Sequence, residues 1–269
     1  MAGSCALDLK QHGPADTRAA IDVPTPNGGR NAGTSVHALV IAHDSASSPG
    51  PVGDRLAERG YTLDVVTVVP EERFADPAVR FDFPDLSDYR LVVALGAPWS
   101  VYDDASVGTW IEGELGLLRA AHAADVPVLG ICFGAQALAT ALGGAVARSP
   151  EPEIGWFTVE SERPDLIASG PWFQWHFDRF TVPPEAQCLA RSTAGPQAFR
   201  IGRALGVQFH PEITEKTLDR WLELGGAAQA ERHGVDPMLL VAETRLRREE
   251  SSLRAHRLVD TFLDHVALV

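Results

Sequence analysis

The chain reads as an α/β protein, an open, mostly parallel wound sheet with helices on both faces and a C-terminal helical extension. Three observations predict this. From His37 onward, short apolar runs alternate with segments of helical periodicity, the pattern of a parallel sheet built from strand–helix units. The run Arg90-Leu-Val-Val-Ala-Leu95 is apolar throughout its middle, as a strand covered on both faces must be. Beyond Thr214 helical signals take over.

Taken in order, His37 to Ala42 is the first strand, residues 52–60 a helix, and the run from Tyr61 to Val69 the second strand. Residues 84–89 connect to the third strand at Arg90. A helix over Val107 to Ala124 follows, with Ile111, Leu115 and Leu118 at helical spacing. The run Val126-Pro-Val-Leu-Gly-Ile-Cys132 is a buried strand leading into a helix from Phe133 to Leu142. Residues 144–206 change character, with short β-like runs around Trp156, Phe173, Leu189 and Phe199, before a buried strand at Ala204 to Phe209. Thr214 can cap a helix carrying Leu218, Trp221 and Leu222 on one face, ended by Gly225-Gly226. Asp236-Pro237 supplies a cap and first-turn proline for a last helix to about Val266. Its charged middle, Arg245 to Ser252, should be solvated, while Leu258, Val259, Phe262 and Leu263 should pack. These elements divide the chain into residues 1–35, a disordered leader without the apolar core of a signal peptide, an α/β domain over 36–213, and a helical extension over 214–269.

Composition narrows the function. With 269 residues and 45% hydrophobic content the chain can bury a sizeable core. A formal charge of -13 argues against nucleic acid, which is bound through clustered Lys and Arg. Cys5, Cys132 and Cys188 are scattered, with neither metal-ligand nor disulfide spacing, so no metal or cofactor is called for and a reducing, cytoplasmic setting fits. The uncharged run from Val126 to Ala147 is long enough for a membrane helix. Pro127, four glycines and Gln136 break it, and strand, turn and helix account for it better.

The chemistry gathers at Gly130-Ile-Cys132-Phe-Gly134. A cysteine on a sharp strand-to-helix turn has the layout of a nucleophile elbow. Cysteine is reactive as thiolate, its free pKa of about 8.5 leaves little of that at neutral pH, and a helix N-terminus directly after it favours the anion. A lone cysteine is more often a small buried hydrophobe, which is how Cys188 reads; the flanking glycines and the setting distinguish Cys132. In Val207-Gln-Phe-His210-Pro-Glu212, residues two apart on an extended backbone point the same way. One imidazole nitrogen of His210 can then face the thiol while the other meets the Glu212 carboxylate, the logic of a nucleophile, a base and a group that orients it. The bland alternative makes His210 a strand end and Glu212 a helix cap. The loop Leu95-Gly96-Ala97-Pro98-Trp99 follows the third strand, and ligands of open α/β sheets gather beyond the strands' carboxyl ends. Backbone N–H groups of Ala97 and Phe133 are placed to form an oxyanion hole.

These motifs resemble the class I glutamine amidotransferase family, and within it free-standing proteins similar to the glutaminase domain of GMP synthetase. Glu153-Ile-Gly-Trp156 and Trp175-His-Phe-Asp178 match family motifs in the same order. The resemblance covers Val92 to Glu212 well and the C-terminal helices more loosely. It implies that Cys132 attacks the side-chain amide of glutamine, forms a γ-glutamyl thioester and releases ammonia, with His210 moving the proton and Glu212 orienting it. It also implies substrate contacts from Gly96, Trp99, Gln136, Trp175, His176 and Phe177. Two departures stand out: the family's Gly-Gly-Pro loop is Gly96-Ala-Pro98 here, and Phe177 stands where relatives often have glycine, a ring that narrows or reshapes the pocket. For His176, a core histidine satisfied by Asp178 is as good a reading as a substrate contact. Three functions remain open: a glutaminase feeding ammonia to a separate synthase subunit, a stand-alone hydrolase of another γ-glutamyl compound, and a non-catalytic binding scaffold.

Overall fold

A computed structural model describes residues 36–268; the leader expected over residues 1–35, Cys5 included, lies outside the described residues. The element order is β1 (Val36–Ala42), α1 (Gly50–Glu58), β2 (Tyr61–Thr67), β3 (Tyr89–Ala94), α2 (Asp104–Val107), α3 (Ile111–Ala123), β4 (Val128–Ile131) and α4 (Phe133–Ala141). Then come β5 (Val146–Ser161), β6 (Gly170–Phe180), β7 (Gln187–Ser192), β8 (Gly195–Ile201) and β9 (Ala204–Val207). Helices α5 (Glu215–Trp221), α6 (Ala227–Arg232) and α7 (Pro237–His265) complete the chain.

The strands form one sheet in the order β2-β1-β3-β4-β9-β8-β7-β5-β6. The five strands from β2 to β9 run parallel, and the other four extend the sheet antiparallel. Alternation along β1 shows why the parallel half needs two helical layers. Ala38, Val40 and Ala42 face one way and pack with Val52 and Leu56 of α1 and with Leu258, Val259, Phe262 and Leu263 of α7. Leu39 and Ile41 face the other way, into a core shared with Leu115 and Leu118 of α3 and Leu138 of α4. The last helix is therefore part of the sheet's cover, and its four expected packing residues lie within that core.

The helix expected over 107–124 is α3, which starts only at Ile111, and Val107 instead ends the short α2. The break lets Trp110 turn inward, 1% exposed, with its indole N–H donating to the Pro77 carbonyl at 3.1 Å. Around Gly225 (φ 105°) the chain kinks and continues into α6, so the glycine pair bends a helical path as well as ending α5. The β-like runs of residues 144–206 are longer than expected; β5 has 16 residues. Its register with β6 sets Glu153 opposite His176 and Ile154 opposite Trp175, so two motifs far apart in sequence face each other. Among the described residues no helix is long and apolar enough to cross a membrane.

Two glycines permit the approach of α4 to the sheet. A Cβ on Gly134 would lie 2.1 Å from the Ala94 carbonyl oxygen, and one on Gly130 would lie 2.7 Å from the Gly134 carbonyl oxygen. Backbone cannot yield as a flexible side chain can. Gly134→Ala should therefore destabilise the protein by about 3 kcal/mol or more in urea unfolding, a core-overpacking cost at the upper end of its range. Gly60→Ala, in open space but at φ 93°, should cost only about 1 kcal/mol. Equal effects of the two substitutions would show that the approach is not tight.

Candidate active site

Cys132 stands between β4 and α4 with φ 50° and ψ -107°, a conformation L-residues rarely adopt. Hydrogen bonds pin the turn on both sides. The Cys132 N–H donates to the Val207 carbonyl of β9 at 2.8 Å, and the Gly134 N–H donates to Leu95 after β3 at 3.0 Å. The sulfur thus stands at the carboxyl edge of the parallel strands, 5% exposed for the residue as a whole. Its thiol lies 3.9 Å from the Trp175 carbonyl oxygen, and the Gln208 amide nitrogen lies 3.6 Å from the sulfur.

His210 and Glu212 follow β9 directly. The His210 N–H donates to the Phe173 carbonyl at 2.8 Å, tying the segment to β6. Its Nδ1 meets Glu212 Oε1 at 2.7 Å, with both side chains 3% exposed. Nε2 makes no hydrogen bond of standard geometry among the described residues. Burial alone would lower the His210 pKa. The charges of Glu212 and Cys132 outweigh it and hold the imidazole well above its ordinary value, so the Cys132 sulfur is an electrostatic neighbour of the ring even without an ideally aligned hydrogen bond. Trp221 packs edge-on against the ring at 5.0 Å.

A cavity of about 330 Å³ brings together Cys132, His210, Gly96, Ala97, Trp99, Gln136, Trp175, His176 and Phe177. Among the expected site residues, Glu212 stands behind His210, and the Phe133 side chain points into the core against His43 at 4.6 Å. Among the described residues, the backbone N–H groups of Ala97 and Phe133 have no acceptor, which leaves both free to donate to a ligand. The Gln136 amide nitrogen donates to the Asp178 carbonyl at 3.3 Å and to Gln208 Oε1 at 3.2 Å, so its own oxygen is the end left for a ligand. His176 lines the cavity with both ring nitrogens engaged. Its Nδ1 meets the Asp178 backbone carbonyl and its Nε2 meets Glu153 Oε2, each at 2.9 Å, so neither ring nitrogen is free for a substrate.

Sequence reasoning missed several residues of this site. Beneath the Gly96 loop, fully buried His43 contacts the Gly96 carbonyl at 3.1 Å and Glu114 Oε2 at 3.0 Å. Burial depresses its pKa, but the Glu114 carboxylate more than compensates and the net shift is upward. The Asp178 carboxylate accepts from Ser100 and, at 2.8 Å, from Tyr102. Trp221, Leu224, Gly225, Gly226, Gln229 and Arg232 bring the C-terminal helices over the cavity, with the Trp175 indole N–H donating to Gln229 at 2.7 Å. Phe177 is flanked by the Arg148 guanidinium, 4.8 Å from its ring centroid, and by His233 at 5.0 Å. An isolated acidic residue after a strand and a glycine pair between helices gave only turn and cap signals. Among the described residues no group of acidic, His and Cys side chains could hold a metal ion.

Comparison with known proteins agrees with this architecture. Residues 52–224 match the family model described as glutamine amidotransferase class-I, and the chain belongs to that family. A putative glutamine amidotransferase-like protein, YfeJ of Salmonella typhimurium, is 30% identical over 217 residues, covering 76% of this chain and 87% of its own. GMP synthase [glutamine-hydrolyzing] of Aeropyrum pernix is 43% identical over 122 residues, 40% of this chain, but the match spans only 24% of that enzyme. In structure, a glutamine amidotransferase from Thermotoga maritima superposes with a TM-score of 0.73 at 28% identity, covering 86% of this chain and all of its own.

The raised His210 pKa gives a signed expectation. Because the folded-state value exceeds the ordinary value of 6.5, the stability linked to this proton is complete below that value and is lost as pH rises through the folded-state pKa. Glu212→Gln should lower the His210 pKa in an NMR titration and flatten the alkaline fall in the urea midpoint. An unshifted titration would assign the perturbation to another group.

Proposed function

We propose that the protein is a cysteine-dependent γ-glutamyl amidohydrolase that cleaves glutamine to glutamate and ammonia. One observation carries this reading: a cysteine in a strained turn at a helix N-terminus shares a cavity with a histidine whose other nitrogen is held by a buried carboxylate. With the Cys132 proton held on His210, the thiolate attacks the γ-carbonyl carbon. The Ala97 and Phe133 N–H groups receive the negative charge that develops on the carbonyl oxygen. Collapse breaks the C–N bond as His210 returns the proton to the leaving nitrogen, freeing ammonia and leaving a γ-glutamyl thioester. His210 then takes a proton from water, the resulting hydroxide attacks the thioester, and glutamate departs as the thiolate re-forms. Glu212 keeps the imidazole oriented and stabilises it when protonated. Gly96, Trp99, Gln136, Trp175 and the backbone near Phe177 line the substrate's path, while His176 and Glu153 brace the wall. Released ammonia would pass to a separate synthase subunit, and a working thiol suits the cytoplasm.

A second reading uses the same residues on a larger γ-glutamyl amine or peptide. Phe177 favours it, because its ring, flanked by Arg148 and His233 on the cavity wall, adds apolar surface against which a leaving group larger than ammonia can pack.

Ammonia and glutamate release should be measured with glutamine beside a panel of γ-glutamyl amines and peptides. Glutamine as the best substrate supports the first reading, and a larger compound with higher kcat/KM supports the second. Cys132→Ala should lower turnover by about 10³-fold or more in either case, and a glutamine-like electrophile should label Cys132 in the parent protein. Retained turnover in Cys132→Ala would refute the mechanism.

A further inference from the structure

Helix α7 has 29 residues and buries one face. Leu240, Thr244, Ala255, Leu258, Val259, Phe262 and Leu263 are its buried positions. With 3.6 residues per turn, Leu239, Leu246 and Leu253 fall on nearly the opposite side. They are 68%, 87% and 62% exposed. Each is seven residues from the next, and a seven-residue step drifts only about 20° around a helix. The three therefore form a continuous apolar seam on solvent-facing helix, in a segment whose other exposed residues are mostly charged. The fold does not require leucine there, since the opposite face already anchors the helix.

We propose that this seam is a homodimer interface in which α7 packs antiparallel against α7 of a second copy. The pattern of the seam argues for a second copy as the partner. Reversing one helix so that each Leu253 lies over Ala242 of the other copy interleaves the six leucines at steps of three or four residues, the spacing of knobs-into-holes packing. Ala242 is exposed and small, which gives the facing leucine room, while Leu246 and Leu239 face the stems of Glu249 and His256 of the other copy. The same register places Arg245 beside Glu249 of the other copy, Glu243 beside the other Arg254, and Glu250 beside the other Arg247. Every one of these contacts occurs twice by symmetry, as an isologous interface demands. Glu249 is exposed and has no cationic partner of its own among the described residues, while Arg245 meets Glu215 Oε2 of its own copy at 2.9 Å and would be shared between the two carboxylates. Within one copy Glu243 pairs with Arg247 at 2.9 Å and Glu250 with Arg254, so the far flank meets its mate already balanced in charge. The three leucines expose on the order of 400 Å² per copy, about half of the roughly 800 Å² per partner in a standard interface. Met238, 82% exposed, Ala242 and the stems of Arg245 and Glu249 supply the remainder.

Sedimentation equilibrium of the full chain from about 1 to 200 µM, a range that brackets weak interfaces, should give a concentration-dependent dimer. Leu246→Glu should raise the dissociation constant at least about tenfold while leaving the melting temperature of the dilute monomer unchanged, because the residue is 87% exposed. Arg245→Glu and Glu249→Arg should each weaken the dimer, and the two together should restore it, which a parallel pair would not do. A monomer at every concentration overturns the proposal, even if another protein is later found on the seam. A dimer that survives Leu246→Glu, or a double charge swap that fails to restore association, overturns it as well.

Discussion

The backbone at Cys132 is the constraint on which the rest of the structure turns. A non-glycine residue at φ 50° and ψ -107° costs on the order of 1–3 kcal/mol unless its surroundings impose the conformation. Here three strands impose it. Strand β9 accepts the Cys132 N–H, the end of β3 accepts the Gly134 N–H, and β4 delivers the chain into the turn. Helix α4 can begin where it does only because Gly134 brings its backbone against Ala94. A turn held this way presents the sulfur at a fixed point, so the residues around it can be fixed too. His210 and Glu212 leave β9, the neighbour of β4, and reach the same edge without any long loop.

Around this point the protein surrounds reactive groups with buried polar pairs. His43–Glu114 supports the Gly96 loop from below, and His176–Glu153 supports the β5–β6 wall, where Gln197 also donates to Glu153 at 2.9 Å. Burying such groups is costly unless each finds a partner. Both pairs adjoin the cavity, whose wall includes His176 itself, and this explains the expense: they hold carbonyls and loops in place where a hydrophobic residue could not accept or donate.

What was legible in the sequence follows from the range of the interactions. The parallel half of the sheet, the elbow and the pairing of His210 with Glu212 depend on short segments with strict periodicity, and each of those segments carries its own signal. The antiparallel extension was visible only as scattered β-like runs, because its order, β8-β7-β5-β6, is set by pairings between distant segments. The same limit hid Glu153 opposite His176 and the arrival of Gln229 over Trp175. Helix α7 was legible as a helix from its cap and proline, yet its role as cover for β1 is visible only once the sheet order is known.

That role has a consequence for how the protein comes into being. The face of the sheet bearing Ala38, Val40, Leu91 and Val93 is closed by side chains from Leu258 to Val266, which a ribosome adds more than two hundred residues after β1. Until that helix docks, α1 alone covers this face and part of the apolar surface of Ala38, Val40, Leu91 and Val93 stays open. Closing this side of the sheet thus waits on contacts between segments more than two hundred residues apart, the kind of long-range pairing that slows folding.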